Sequence, residues 1–247
     1  MSILEKLDKQ LYFRFPSKKP PVCSAVIVAA GKGERMNQDK TIMDLCGKPV
    51  IVRAIEPFQI STLIDEIIVV TSSDKIEMIA DICRKYRLDK VKKVISGGAT
   101  RAESSLAGVC ETRKGAKLIA IHDCARPLVT GRVIMDTVIA AANELAAIPG
   151  IPSTDTLKKI NTRYYINGKI NRDEVVRVQT PQVFDADLIK GALTDAVRKG
   201  VNLTDDSSAV ERAGFKVKVV EGDKQNIKLT TKEDLVYAEA IIKERGE

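Results

Sequence analysis

The chain has 247 residues, with 40 Lys and Arg against 33 Asp and Glu, a formal charge of +7. Hydrophobic residues at 44% and charged residues at 30% suit a globular protein with one substantial core and exclude wholesale disorder. The longest apolar run, Ala25–Ala30, is strand-sized and far short of the roughly 18 residues a membrane span requires.

Residues 1–21 carry five basic and two acidic residues and end in Ser17-Lys18-Lys19-Pro20-Pro21, which reads as an N-terminal extension closed by a linker. It has no continuous apolar stretch of the signal-peptide kind, and Glu5 and Asp8 argue against a transit peptide, so a cytoplasmic protein is expected. From Val22 the chain alternates. Apolar, β-branched runs at 22–29, 67–71, 91–95 and 118–122 are each followed by a loop and a helical pattern, at 49–60, 73–87, 101–112 and 132–146. Four such units predict a doubly wound, mostly parallel α/β sheet, in which ligands bind outside the carboxyl ends of the strands. The rhythm breaks after Pro149. Residues 153–175 contain Tyr164-Tyr165-Ile166-Asn167-Gly168-Lys169-Ile170, a hairpin signal too polar for the core, and are expected to form a projecting β-arm turning at Asn167-Gly168. A bare hairpin is marginal in water, so a second subunit is its expected support. Strands at 175–178, 216–220 and 227–229 and helices at 186–199, 206–213 and after Thr230 complete one domain over 22–247.

Five cysteines without a CxxC spacing and a single histidine, His122, exclude a disulfide framework, a zinc cage and a conventional triad. Aromatics at 4% and the absence of a basic block leave no stacking platform for nucleic acid. Three loops at strand ends carry chemistry. In the first, Ala29-Ala30-Gly31-Lys32-Gly33-Glu34-Arg35-Met36, glycines free backbone amides for phosphate, with Arg35 and Lys40 as cations. Met36 stands where a dinucleotide fingerprint needs its third glycine, which disfavours a hydride-transfer enzyme, and no Gly-Lys-Ser/Thr makes it a P-loop. In the second, Gly97-Gly98-Ala99-Thr100-Arg101-Ala102-Glu103-Ser104, the glycine amides and Ser104 could shape a base pocket or simply cap a helix. In the third, His122-Asp123-Cys124-Ala125-Arg126-Pro127, Asp123 is placed to hold Mg²⁺, and Arg126 to orient Asp123 or touch phosphate. His122 reads as a hydrogen-bonding residue. Cys124, with no second histidine to activate it, reads as a small residue filling a tight site rather than a nucleophile.

Six segments in this order resemble the 2-C-methyl-D-erythritol 4-phosphate cytidylyltransferase family. They are the Ala29–Met36 loop, Gly97-Gly98-x-x-Arg101-x-x-Ser104, His122-Asp123-x-Ala125-Arg126-Pro127, Thr180-Pro181-Gln182-x-Phe184, Thr204-Asp205-Asp206-x-Ser208 and Asn226-Ile227-Lys228. The resemblance implies a Rossmann-like nucleotidyltransferase fold, CTP as nucleotide, Mg²⁺ as cofactor and a homodimer with interlocked arms. It implies that Ala29, Ala30, Gly31, Gly33 and Arg35 meet the CTP phosphates, that Lys40 sits on the α-phosphate, and that Gly97, Gly98 and Ser104 line the cytidine pocket. Asp123 would serve metal and substrates with Arg126 nearby. Thr156 and Arg172 on the arm, with Cys124, Thr180, Thr204 and Lys228, would hold the acceptor, and Arg35, Lys40 and Lys228 would carry catalysis. The chain departs from the family pattern at Asp39, Thr41 and Cys124, where proline, glutamine and alanine are usual. A cytidylyltransferase for another polyol phosphate, such as ribitol 5-phosphate, and a catalytically silent nucleotide sensor on the same fold are the rival readings.

Overall fold

The fold is described from a computed structural model, over residues 22–31 and 40–246. Gly33 and Arg35, and the extension 1–21, lie outside the described residues.

Eight strands form one sheet, apart from which β2 (Asp44–Leu45) pairs with β3 (Lys48–Pro49). The sheet's parallel half runs β5 (Val91–Ser96), β4 (Ile64–Thr71), β1 (Cys23–Val28), β6 (Leu118–Asp123), and continues through β11 (Gln182–Asp185), β7 (Ala146–Pro152) and β10 (Val176–Val178). In this second half β11 and β10 are antiparallel to their neighbours, while β12 (Lys218–Glu221) pairs with β7 in parallel. β1 is buried almost throughout because it has a parallel strand on either side, Ala25 lying opposite Ile67 of β4 and Ala120 of β6. Alternate residues serve opposite faces. Ala25, Ile27 and Val69 pack with α1 (Val50–Ile60), α4 (Gly131–Glu144) and α7 (Lys232–Arg245). Val26, Val70 and Ile121 pack with α3 (Arg101–Cys110), α5 (Ala186–Arg198) and α6 (Ser207–Arg212). This is the two-faced burial that the uniformly apolar strands predict.

Register decides where the ligand loops go. Val28 lies opposite both Val70 and Asp123, and Thr71 opposite Ser96, so four loops leave the same edge of the sheet side by side.

Several elements differ from the sequence expectation, each for a local reason. β4 starts at Ile64 rather than 67, because Glu66, polar in the sequence, is buried where Ser24 Oγ (2.6 Å) and the Arg113 amide (2.6 Å) both donate to its carboxylate. The helix expected at 73–87 is a 3₁₀ turn, Ser73–Lys75, followed by α2 (Ile76–Lys85), which ends before Arg87 at φ 53°. α4 stops at Glu144, where Leu145 takes a left-handed φ of 68°, and Ala146 at once opens β7, whose two prolines and glycine disguise it as a loop. β11 was likewise absent from the sequence reading, and Ile227–Leu229 is not a strand but a loop tied by the Leu229 amide to the Ala125 carbonyl (2.8 Å).

The arm region contains a two-stranded hairpin, β8 (Lys158–Ile160) against β9 (Ile166–Lys169), separate from the main sheet. Its turn is not at Asn167-Gly168, which lie inside β9, but at 161–165. There Asn161 Oδ1 accepts from the Arg163 and Tyr165 amides (3.0 Å each) and Tyr164 adopts φ 63°. An asparagine bonding its own backbone outcompetes the Asn-Gly signal.

Close packing of α3 on β1 depends on Gly108. A Cβ there would collide with Val26 Cγ1 and come within 2.8 Å of Val70 Cγ2. Glycine to alanine inside a helix ordinarily stabilises by about 1 kcal/mol, but overpacking costs about 1–3 kcal/mol and prevails where the neighbours belong to central strands. Gly108→Ala should therefore lower the unfolding free energy in chemical denaturation. Unchanged or increased stability would contradict this packing.

Candidate active site

The loops leaving β1, β4, β5 and β6 enclose a cleft of about 800 Å³ together with residues 228–230. Ala29, Ala30, Gly31 and Lys40 line one side, and Gly97, Gly98 and Ser104 the other. Asp123, Cys124 and Lys228 close the floor. Short hydrogen bonds hold the loops: the Ala29 amide donates to Val70 O (2.7 Å), the Gly97 amide to Thr71 O (2.7 Å) and the Cys124 amide to Val28 O (3.0 Å). Gly97 lets two walls meet, since a Cβ there would lie 2.6 Å from Ser104 Oγ and 2.9 Å from Ala30 Cβ.

The glycine pair does not present its amides as the sequence reading expects. Gly97 N–H is spent on Thr71, and Gly98 N–H donates to Ser104 Oγ (3.2 Å). The amides of Ala99 and Thr100 go to Glu103 Oε2 (2.6 and 3.1 Å) in a capping box with Thr100. What the loop can offer a base is therefore chiefly carbonyl acceptors.

Asp123, 8% exposed at the end of β6, is the centre of charge. Arg101 reaches its Oδ1 through Nε (3.2 Å) and Nη2 (3.0 Å), and Lys228 Nζ donates to Oδ2 (2.7 Å). Burial alone would push the Asp123 carboxyl up, but Arg101 and Lys228 outweigh it and hold it far below the usual carboxylate range. Arg101 also pairs with Asp206 Oδ2 (2.8 Å), a carboxylate only 1% exposed. Burial raises the Asp206 carboxyl and Arg101 opposes that shift, while burial acts to lower Arg101 and is outweighed by Asp206 and Asp123, which raise it. Lys40 Nζ donates to the carbonyls of Leu229 (3.2 Å) and Thr230 (3.1 Å), which ties the first loop to the Lys228 segment.

A second cleft, of about 420 Å³, adjoins the first and shares Arg101, Asp123 and Lys228 with it. Thr180 and Thr204 line it, as does Arg126. Arg126 is thus outside the first cleft. Its Nη1 donates to Asn226 O (2.8 Å) and Nη2 to Val178 O (3.2 Å), so it clasps the Lys228 loop rather than orienting Asp123. Thr156 and Arg172 are exposed on the arm segment and line neither cleft.

Arg101 and Asp206 were not singled out by sequence, though a signal existed. An arginine in the first turn of a helix opposes the helix dipole, so Arg101 at the start of α3 implies a carboxylate partner. Asp206, just before α6, is buried and supplies that carboxylate. Gln182 fixes its backbone, with Oε1 accepting from the amides of Asp206 (3.0 Å) and Ser207 (2.9 Å).

Behind Asp123 lies a neutral network. His122 is fully buried, with its ring 5.0 Å from that of Phe58. The Arg126 carbonyl can only accept, so Nε2 carries the hydrogen (3.1 Å) and Nδ1 accepts from the Thr180 hydroxyl (2.9 Å). The same hydroxyl oxygen accepts the Asp123 amide (3.1 Å). Burial lowers the His122 imidazole to about 4. Because this lies below the unfolded value of 6.5, the unfolded chain binds more protons between the two. The contribution to stability is complete above pH 6.5 and is lost as the pH falls toward 4. The sole histidine gives one pair of imidazole C–H NMR resonances, expected to titrate near pH 4; a midpoint near 6.5 would contradict the buried neutral assignment.

The family model for 2-C-methyl-D-erythritol 4-phosphate cytidylyltransferase matches residues 23–244. A protein of that name from Caldanaerobacter subterraneus subsp. tengcongensis is 44% identical over 223 residues, 89% of this chain and 98% of its own length. One from Clostridium novyi is 39% identical, covering 88% of this chain and 95% of its own. Among solved structures, the 4-diphosphocytidyl-2C-methyl-D-erythritol synthase of Anaerococcus prevotii superposes with a TM-score of 0.81 at 33% identity, over 91% of this chain and 97% of that one. The Thermus thermophilus 2-C-methyl-D-erythritol 4-phosphate cytidylyltransferase gives a TM-score of 0.72 at 28% identity, over 89% and 98%. Six motifs in register, a matching fold and these relatives agree: the chain belongs to the 2-C-methyl-D-erythritol 4-phosphate cytidylyltransferase family.

Proposed function

We propose that this chain transfers the cytidylyl group of CTP to the phosphate of 2-C-methyl-D-erythritol 4-phosphate, releasing pyrophosphate, in isoprenoid precursor biosynthesis. The observation that carries the site assignment is the pair of adjoining clefts with Arg101, Asp123 and Lys228 as their common wall. The larger would take CTP, with cytosine against the Gly97–Gly98 carbonyls and Ser104 and the triphosphate along Ala29–Gly31 toward Lys40. The smaller would take the acceptor, with Thr180 and Thr204 near its polyol. The acceptor phosphate oxygen then attacks the α-phosphorus at the junction and the bond to pyrophosphate breaks. The family and its named relatives favour this acceptor over ribitol 5-phosphate.

Two anions must meet there. A pair of unit charges 4 Å apart in a partly buried site interacts by about 4 kcal/mol, so repulsion of that order has to be offset. Arg101 and Lys228 are balanced by Asp123 and Asp206, leaving the junction with no surplus charge of its own. Further positive groups would be Lys40, Arg35 and a divalent ion. Asp123 would act as a clamp on cationic groups, because a carboxyl held so low is a poor base and the nucleophilic phosphate is already ionised. Catalysis would rest on positioning and electrostatics, with no covalent enzyme intermediate.

The donor set does not form a resident metal cage. Asp123 is the one carboxylate among the described residues lining the larger cleft, and both its oxygens are engaged by Arg101 and Lys228. Among the described residues no group of three His, Cys, Asp or Glu is gathered for an ion. Of the residues present, Asp123 would be the one to hold Mg²⁺, in place of one of its present cations, and the ion would supply positive charge beside the substrate phosphates.

The arm points to a second copy of the chain. Tyr164 is 85% exposed, and Tyr165, Ile166 and Ile160 are largely exposed beside it, an apolar load that a two-stranded hairpin cannot bury alone. In a homodimer, Thr156 and Arg172 of one subunit would complete the acceptor cleft of the other.

A pyrophosphate-release assay across nucleotides and acceptor phosphates should show CTP with methylerythritol phosphate as the preferred pair. Comparable or faster turnover of ribitol 5-phosphate would overturn the acceptor assignment. Lys40→Ala or Arg35→Ala should each lower kcat about a hundredfold, the scale of losing one transition-state stabiliser; a change below about threefold would remove that residue from the machinery. Mixing inactive Lys40→Ala and Arg172→Ala proteins should restore activity, up to about a quarter of wild type for random pairing, since each mixed dimer regains one intact site. No restoration after subunit exchange would contradict sharing through the arm.

A further inference from the structure

The buried acid behind the junction has no part in the transfer just described. Asp206 does not touch Asp123; it touches the arginine that does, with Arg101 Nη2 lying 2.8 Å from Asp206 Oδ2 and 3.0 Å from Asp123 Oδ1. One guanidinium thus spans two carboxylates carried by different elements, β6 and the segment leading into α6. Nothing else in α3 needs this bridge, because its N-terminus is already closed by the Thr100–Glu103 capping box. The segment that carries Asp206 also carries Thr204 and Asp205, both lining the smaller cleft, and Gln182 of β11 holds it.

We propose that Asp206 is a positioning residue for acceptor use: it fixes the Arg101 fork, which sets the Asp123 carboxylate and, through Oδ2, the Lys228 ammonium at the entrance of the smaller cleft. The proposal rests on reading that cleft as the acceptor site. The base-binding end of the larger cleft is built from the loops after β1 and β5 and from Ser104, whereas Asp206 is paired with Arg101. Loss of the Asp206 charge therefore frees a side chain at the junction and leaves the nucleotide pocket in place. Arg101 meets Asp123 through Nε and Nη2 and meets Asp206 through Nη2, so a lysine would bring a single nitrogen to contacts that now use two and would lose the orientation the planar guanidinium gives.

The test is steady-state kinetics of the full-length Asp206→Asn and Arg101→Lys proteins, varying CTP and methylerythritol phosphate separately, with thermal midpoints recorded. Each variant should lose about tenfold or more in kcat/KM for the acceptor while the CTP KM stays within about twofold, and the double variant should be little worse than the poorer single one, as for groups acting as a unit. Equal losses on both substrates, multiplicative losses in the double variant, or near wild-type kinetics would overturn the proposal. If Asp206→Asn does not fold, Arg101→Lys, whose side chain is partly exposed between the clefts, carries the same test of unequal KM changes. Thr204→Val serves as the control for the cleft itself. If it raises the acceptor KM while Asp206→Asn does not, the positioning role alone fails; if it moves only the CTP KM, the acceptor-cleft reading fails and the proposal with it.

Discussion

Repulsion between two phosphate-bearing reactants is the constraint around which this molecule is arranged. Where the two clefts meet stands a compact ionic cluster, Lys228–Asp123–Arg101–Asp206, in which two bases and two acids alternate within 2.7 to 3.0 Å contacts. Such a cluster adds little net charge. What it supplies is fixed geometry, because each cation is held by a carboxylate that cannot drift: Asp123 at the end of a buried strand, Asp206 almost completely enclosed. Removing one member of a buried pair leaves an uncompensated charge, so the four residues stand or fall together.

The fold exists in the form that makes this possible. Parallel pairing brings Val28, Thr71, Ser96 and Asp123 to one edge, and the switch to antiparallel strands at β11 delivers Thr180 and Gln182 to the far side of Asp123. The neutral His122 links those halves. Through Thr180 Oγ and the Arg126 carbonyl it joins β6 to the β11 approach and to the loop that carries Lys228, without placing a charge behind Asp123.

The parallel half of the sheet was legible in the sequence because its strands are buried on both faces and read as unbroken apolar runs. The antiparallel half was not. β7 carries Pro149, Gly150 and Pro152, and β11 is four residues long, so neither shows a period. The site followed the same division. Gly97, Ser104, Asp123 and Lys228 stand beside motifs whose residue types announce phosphate and nucleotide chemistry, and they do converge. Arg101, a cation in the first turn of a helix, signals that a carboxylate partner exists, but nothing local in the sequence says that the partner is Asp206, 105 positions away. The hairpin turns at 161–165 and not at Asn167-Gly168 because a side-chain bond within Asn161's own loop outweighs the stronger-looking dipeptide.

The most direct test of the two-cleft account is a crystal structure with the cytidylylated polyol product bound. The account predicts cytidine against Gly97, Gly98 and Ser104, the polyol beside Thr180 and Thr204, and the diphosphate linking them within hydrogen-bonding reach of Lys228. A product lying wholly within the larger cleft, with the smaller one empty, would contradict it.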